Sequence, residues 1–204
     1  MEPIYFIPFA IIFIGGAFLI GFIRNRNFDR KEKLHKNLAV RLGLSLSYQS
    51  EEDFLIFGTY KDYKVRLETI EIRTRDNQDG IPALKWNIPM INPQLKILRI
   101  AKDNPSYPQL TSLAYLDRPV NMAHDLGEWL SITTNDLMFG SILLSDDLKI
   151  SLFEVFNPIE GGLLYIDGEE LAIVRPHLIL KEEDMKWYQK GLDLICDIKD
   201  ELNS

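Results

Sequence analysis

Twenty consecutive residues without a charged side chain, Ile4–Ile23, constrain this chain more than any other feature of its sequence. An α-helix rises about 1.5 Å per residue, so this stretch would reach about 30 Å, the thickness of a bilayer's hydrocarbon core. Helices in globular cores seldom stay apolar on every side over such a length. The stretch therefore predicts a transmembrane helix.

The residues around this stretch favour an uncleaved anchor over a secretory signal peptide. A signal peptide has a positively charged start, a shorter apolar core and a small-residue cleavage site, whereas only Met-Glu-Pro precedes the apolar run. Within the run, Ala17 and Gly21 form a small-xxx-small pair beside Gly16, so one face could pack against another helix. Simple exposure of that face to lipid is the alternative.

Six cationic residues follow the span and predict its orientation. They are Arg24, Arg26, Arg30, Lys31, Lys33 and Lys36. Because Lys and Arg beside a span resist translocation, we expect the following domain in the cytoplasm and the short N-terminus outside. The same side chains can contact anionic lipid head groups, at about 1 kcal/mol each. We assign residues 1–24 to the anchor, 25–36 to a basic stalk and 37–204 to a soluble domain.

The charge of the chain is divided unevenly. Residues 1–36 hold six basic and three acidic side chains, while residues 37–204 have a net charge of −10. Such a domain is repelled by polyanions, which argues against nucleic acid as a partner. The single cysteine, Cys196, forms no intramolecular disulfide, which fits a reducing cytoplasm, and it lies on the apolar side of a predicted helix. We expect a buried core cysteine there.

Hydrophobic periodicity after the stalk predicts one α+β domain with a mainly antiparallel sheet packed by helices. A phase change in one strand predicts a bulge at Glu68 or Thr69. Lys61-Asp62 and Asp167-Gly168 predict tight hairpin turns, the second of type I′. The predicted strands are 44–48, 54–60, 63–73, 94–101, 129–133, 163–166 and 169–174. The predicted helices are 29–42, a short one ending at Ile142 and capped by Thr134 or Asn135, 145–156 and 182–202.

Two long stretches rich in proline, 74–93 and 104–119, are predicted to be loops. Aromatic residues in or beside such loops can line a pocket or an interface. The alternative is that they pin the loops to the sheet. These candidate interface residues are Trp86, Tyr107, Tyr115 and Trp129.

Motifs that would indicate catalysis are weak. His124 and Glu128 have a helical i, i+4 spacing, but a zinc site needs at least three protein ligands and Gly127 disfavours a helix. Acidic pairs at 146–147 and 182–184 fall in the first turns of predicted helices, where the macrodipole explains them. We therefore predict no cofactor, no metal and no catalytic residue, with a metal-dependent enzyme using His124 as an alternative.

The order of segments in the second half resembles the closing half of uncharacterised bacterial membrane-anchored domain families. The segments are WLSIT, TNDLMFGSIL, SDDLKISLFEVF, LLYIDGEELAIV and the terminal amphipathic helix, and the opening LAVRLGL and GTYKDYKV is similar as well. The resemblance implies a bacterial origin and one α+β domain. It implies no catalytic residues.

These features together favour a non-enzymatic, membrane-tethered cytoplasmic interaction domain, an accessory subunit of a membrane complex. Membrane lipids and a membrane-protein partner are the expected contacts. A ligand-sensing module, with an apolar pocket under the 74–93 loop, is the alternative.

Overall fold

One antiparallel sheet of nine strands organises the described part of the chain. The computed structural model describes residues 28–50, 53–72, 80–90, 96–102, 120–121, 126, 130–142, 144–176 and 178–203. The helices are α1 (28–42), α2 (Leu137–Ile142), α3 (Asp146–Phe156) and α4 (Glu182–Asn203). The strands are β1 (Ser45–Tyr48), β2 (Phe54–Tyr60), β3 (Tyr63–Ile72), β4 (Ile81–Pro89), β5 (Leu98–Lys102), β6 (Val120–Asn121), β7 (Ser131–Thr134), β8 (Gly162–Ile166) and β9 (Glu170–Arg175). The predicted α+β class with an antiparallel sheet is confirmed.

The strand order is β1-β2-β3-β4-β9-β8-β5-β7-β6. The first four strands form a meander, in which each strand pairs with the next in the sequence. The β8–β9 hairpin then fills the space between β4 and β5. The last hairpin therefore joins the two halves of the sheet, and its strands lie at the centre.

The two faces of the sheet differ in what packs on them. The first face, which we call the helix-covered face, carries Ile56, Leu67, Trp86 and Ile173 in the main core. The buried apolar side chains of all four described helices belong to this same core. The opposite face, which we call the second face, carries a smaller buried cluster. Its members are Ile72, Ala83, Ala101, Leu163, Tyr165, Ala172 and Val174.

Helix α1 ends in a Schellman motif. The N–H of Leu44 donates to the carbonyl of Ala39 at 2.9 Å, and the N–H of Gly43 donates to that of Val40 at 3.1 Å. Gly43 has φ +68°, a conformation that glycine adopts without steric cost. The predicted end of this helix at residue 42 is confirmed, and the chain turns at Gly43 directly into β1.

Two buried tryptophans tie α4 to its neighbours. The indole N–H of Trp86, on β4, donates to the carbonyl of Tyr188 at 2.9 Å. The indole N–H of Trp187 donates to the carbonyl of Val155, on α3, at 2.7 Å. Because a buried indole N–H needs an acceptor, these bonds fix the position of α4 between the sheet and α3.

The prediction of a continuous loop over 74–93 is wrong, because β4 occupies residues 81–89. Leu84, Trp86 and Ile88 alternate with Lys85 and Asn87, as a strand requires, and the three apolar side chains are buried in the main core. A flap that closes over an apolar pocket therefore has no basis in these nine residues.

The predicted bulge at Glu68 or Thr69 is also wrong. Pairing with β4 runs without interruption from Arg66 opposite Asn87 to Ile72 opposite Ile81. Leu67 belongs to the main core and Ile72 to the cluster on the second face. The hydrophobic phase changes because both faces of β3 are buried at different points along its length.

The two hairpin turns have different outcomes. Lys61 and Asp62 both have positive φ, +45° and +68°, so the tight β2–β3 turn is confirmed. Neither Asp167 nor Gly168 has positive φ, so the type I′ prediction is wrong. The Asp167 carboxylate accepts the N–H groups of Glu169 and Glu170 at 2.9 Å each, and this side chain shapes a longer turn.

The cap of α2 differs by one residue from the prediction. The N–H of Phe139 donates to the Asp136 carboxylate at 3.0 Å, so Asp136 is the cap in place of Thr134 or Asn135. Thr134 instead accepts the N–H of Asp136 with its hydroxyl at 3.0 Å. Helices α3 and α4 begin and end within a residue of the predicted bounds.

The predicted membrane anchor, residues 1–24, lies outside the described residues. None of the helices within the described ranges has the length and apolar character to cross a bilayer. The stretch Ile4–Ile23 was not among those residues. Residue 36, which we assigned to the end of a separate stalk, falls inside α1, because 28–42 is one continuous helix.

Candidate functional site

The outward face of α1 is basic. Arg30, Lys33, Lys36 and Arg41 are exposed, and Lys36 forms an ion pair with Glu32 across one turn at 3.6 Å. An apolar residue, Val40, lies on the same side with 79% of its surface exposed. Residues three, four and seven apart share one side of a helix, so these side chains form a single surface. We call it the α1 outer face.

Sequence reasoning found only part of this surface. Arg30, Lys33 and Lys36 were predicted to contact lipid head groups, and they are exposed. Lys31 is half-buried and points away from the others. The contribution of Val40 and Arg41 was missed, although the helical period from Arg30 places both on this side.

The inward face of α1 packs on β1 and β2. Leu38, Ala39 and Leu42 are buried there in the main core. His35 is buried beside them, with its ring stacked on that of Phe54 at a centroid distance of 3.8 Å. His35 falls in the segment that we assigned to a basic stalk, where contact with head groups or water would be expected. That expectation is wrong, because the 3.6-residue period turns His35 toward the sheet.

Burial changes the acid–base behaviour of His35. Desolvation, with a further contribution from the positive charge of Lys31, lowers the pKa of His35 to about 4. Its Nδ1 lies 3.3 Å from the Tyr48 hydroxyl, and its Nε2 has no hydrogen-bond partner. The ring is therefore neutral at physiological pH and packs as part of the core.

Several predicted residues lie outside the described ranges. They are Gly16, Ala17, Gly21, Arg24, Arg26, Tyr107, Tyr115, His124 and Trp129. Within the described ranges, no group of three or more His, Cys, Asp and Glu side chains could hold a metal ion. The enzyme hypothesis based on His124 stays a prediction, which elemental analysis for bound metal would test.

Trp86 and Cys196 are core residues. Trp86 has no exposed surface and its N–H is bonded to α4, so it cannot line an open interface. Cys196 is fully buried in α4, and burial raises the pKa of its thiol to about 12. A thiol with so high a pKa is not a nucleophile at neutral pH, which agrees with the predicted structural role.

A groove lies at one end of the second face. Its volume is about 1110 Å³. Phe57, on the floor, is 42% exposed and lies in one row across three strands with Arg66 and Asn87. On one side of β4 the groove is lined by Lys64 and Arg66, and on the other by the acidic β8–β9 turn, residues 167–170.

Paired charges lie beside this groove. Glu68 accepts from Arg66 at 3.0 Å and from Lys85 at 3.1 Å, and Lys85 also contacts Glu170 at 3.2 Å. The Tyr165 hydroxyl donates to Glu170, and burial together with this bond raises the pKa of Tyr165. These groups satisfy one another, and two of them, Arg66 and Glu170, line the groove.

Comparison with known proteins relates this chain to another by fold. No family model matches the chain, and no curated protein matches it. Among solved structures, the chain is similar to the mycobacterial trehalose monomycolate transport factor A, TtfA, with a TM-score of 0.52 and 12% sequence identity. The alignment covers 86% of this chain and 94% of that chain. At this identity the similarity establishes a shared fold alone.

Proposed function

We propose that this chain is a non-enzymatic accessory protein of a bacterial membrane complex. Residues 4–23 anchor it by a single span, and the α+β domain lies in the cytoplasm. The α1 outer face contacts anionic lipid head groups, so the domain is held close to the bilayer. Its remaining surface is then available to a membrane-protein partner.

The α1 outer face is the observation that carries this proposal. Its first residue, Arg30, lies seven residues after Ile23, so the basic surface and the apolar stretch are close in the chain. Exposed Lys and Arg beside an anionic bilayer each contribute about 1 kcal/mol, and an exposed Val40 can enter the head-group boundary. Residues 37–204 carry −10, so an anionic membrane repels the rest of the domain.

The shared fold supports an accessory role. TtfA is named as a transport factor, and the structural alignment covers 86% of this chain. Fold alone does not determine function, so the partner and the transported molecule of that protein are not carried over. What the similarity contributes is a precedent for this fold in a protein named as a transport factor.

Membrane extraction combined with protease accessibility tests the anchor and its orientation. We expect the full chain to stay in the membrane pellet after alkaline carbonate washing, because a spanning helix is removed only by detergent. Protease should digest the domain in inside-out vesicles and leave it intact in spheroplasts. Release by carbonate, or digestion in spheroplasts, would contradict the proposal.

Purification from the native membrane in mild detergent tests the accessory role. A stoichiometric membrane protein should co-purify with the full chain. A form lacking residues 1–24 serves as the control, since a partner lost with the anchor is recruited through the span. If nothing co-purifies with the full chain, the accessory role is wrong.

Ligand binding in the groove of the second face is a second candidate function. The observation that favours it is an exposed Phe57 between the basic Lys64–Arg66 side and the acidic 167–170 turn. An apolar floor between opposite charges suits an amphiphilic or zwitterionic molecule. This groove replaces the predicted pocket under residues 74–93.

Thermal-shift screening of the full chain against lipids and polar metabolites tests this candidate. A stabilising molecule should lose its effect in Phe57→Asp and keep it in Leu180→Asp, which changes an exposed apolar residue two positions before α4. If the molecule stabilises both variants equally, it binds outside the groove. If no molecule stabilises the protein, the groove is not a ligand site.

A further inference from the structure

Helix α3 has an outward face that exposes large apolar side chains. Ile150 is 62% exposed and Phe153 is 46% exposed. They are three residues apart, so they lie on one side of the helix, opposite the buried Leu148 and Leu152. Exposed apolar side chains that lie together inside a polar rim are typical of protein interaction sites. We call this side the α3 outer face.

Acidic residues surround the α3 outer face. Asp146 and Asp147 are exposed in the first turn of α3, and Glu154 is exposed beside Phe153. Two small grooves of about 180 and 340 Å³ lie between α3 and α4. Most charged residues that line them are acidic: Asp147, Glu154, Asp193, Asp197 and Glu201, with Lys190.

Nearby cations reduce this charge without cancelling it. Lys190 contacts Glu154 at 2.7 Å, and Lys61 contacts Asp193 at 3.1 Å and Asp197 at 3.0 Å. On α3 itself, Lys149 contacts Asp146 at 3.6 Å, so four acids of this surface share three lysines. The α3 outer face and its grooves therefore keep a negative potential around an apolar centre.

We propose that the α3 outer face and the two adjoining grooves dock a basic amphipathic helix of a protein partner. The proposal rests on the proposed function, whose partner it describes by chemistry. Ile150 and Phe153 would pack against the apolar side of that helix, and Lys or Arg at its margins would pair with Asp147 and Glu154. An anionic bilayer is excluded as the occupant because the acidic margin repels it.

Site-specific photocrosslinking in native cells tests this surface. The photoreactive residue p-benzoylphenylalanine replaces Ile150 or Phe153 in the full chain. Met138 is the matched control, since it is 77% exposed on α2, outside this face. The crosslinked peptide is then sequenced by mass spectrometry.

We expect a protein adduct from positions 150 and 153 and about tenfold less from position 138. The attached peptide should have apolar residues at helical spacing and a net positive charge. No adduct, an equal yield from position 138, a lipid adduct or an acidic peptide would each overturn the proposal.

Charge reversal separates electrostatic docking from simple hydrophobic contact. In the crosslinking protein, Asp147→Lys with Glu154→Lys should reduce the adduct about tenfold, which is the scale of two lost charge pairs. Glu182→Lys with Glu183→Lys makes the same net change in the exposed first turn of α4 and should leave the adduct unchanged. Equal reduction by both pairs would overturn the proposed role of these acids. Circular dichroism and thermal melting of each variant exclude loss of fold.

Membrane extraction of the same cells distinguishes the two proposals. If the protein is released by carbonate while position 150 still yields the adduct, the anchor is wrong and the docking surface stands. If the protein stays in the membrane and no adduct forms, the docking surface is wrong and the anchor stands.

Discussion

Helices α1 and α3 have similar inward faces and opposite outward faces. Both bury leucines in the main core, Leu38 on α1 and Leu152 on α3, and neither leucine retains exposed surface. Outside, α1 presents four cations around Val40, and α3 presents three acids around Ile150 and Phe153. The inward periodicity determines that both helices bury apolar side chains in the same core. The outward charge determines which surroundings each helix can approach.

The inward faces of these helices contribute to the stability of the fold, and the outward faces bias where the domain lies. Apolar burial on the inward faces contributes to folding, at about 25 cal/mol per Å² of area removed from water. Exposed charges contribute little to folding but strongly bias contact with a charged surface. Changes on the two sides of each helix should therefore affect different measurements.

The largest effects are expected on the inward faces. Leu38→Ala and Leu152→Ala should each lower the free energy of unfolding by about 2–5 kcal/mol, the cost of a buried leucine side chain and its cavity. Val40→Ala and Ile150→Ala should each change it by less than about 0.5 kcal/mol. Denaturant unfolding of the full chain in detergent, followed by tryptophan fluorescence, measures all four. A large loss from either exposed site would remove the distinction between the faces.

His35 gives α1 a pH dependence that the apolar inward side of α3 lacks. Its pKa is about 4 when folded and 6.5 when unfolded, so unfolding takes up a proton between these values. Stability should therefore fall as the pH falls from 6.5 to 4, by about 3 kcal/mol from this group. His35→Phe keeps the ring stack on Phe54 and should remove this contribution to the pH dependence of stability.

Wild type and His35→Phe are compared at each pH, so the titration of carboxylates that they share cancels in the difference. The charged and polar groups near the ring are Lys31, Glu32 and Tyr48. Wild type should lose more stability than His35→Phe between pH 7 and pH 4. If the two proteins lose the same amount, the pKa of His35 is not lowered by folding.

The α1 outer face should respond to the charge of the lipid. Arg30→Gln with Lys33→Gln removes two exposed cations and should weaken membrane contact by about 2 kcal/mol. Hydrogen exchange of α1 amides in nanodiscs with phosphatidylglycerol measures the contact as slower exchange than in phosphatidylcholine. The paired variant should lose this difference. Asp146→Asn with Asp147→Asn on α3 is the matched control, and a similar loss there would contradict the assignment.

The smallest effect is expected from the exposed ion pair between α3 and α4. Lys190 and Glu154 are each more than half exposed, and such pairs contribute about 0–1 kcal/mol. Lys190→Ala should lower the melting temperature of the full chain by a few degrees at most. A loss of stability as large as that of Leu152→Ala would mean that the surface between α3 and α4 belongs to the main core.

Strand β4 shows what sequence reasoning overlooked. Pro82 and Pro89 favoured a loop, because proline removes a donor from a central strand. Strand β4 is paired on both sides only from Leu84 to Asn87. Pro82 lies where β4 pairs with β3 alone, and Pro89 lies where it pairs with β9 alone. The alternation from Leu84 to Ile88 was the available signal, and the prolines marked the limits of two-sided pairing.

The helices and the two hairpins could be predicted because their signals are local. Caps, helical periods and short turns lie within a few residues, so Gly43 and the Lys61-Asp62 turn were found. The groove could not be predicted, since β8–β9 pairs with β4 across more than eighty residues. Phe57 and the 167–170 turn become neighbours only when that long-range pairing forms.

The most direct test compares the depth of α1 and α3 at the membrane. Val40→Cys and Ile150→Cys receive a nitroxide label in the full chain, while buried Cys196 stays unlabelled. In phosphatidylglycerol nanodiscs, power saturation with a water-soluble nickel complex should show protection at position 40 and full exposure at position 150. Equal exposure at both positions, or protection at position 150 alone, would contradict the assignment of α1 to the membrane.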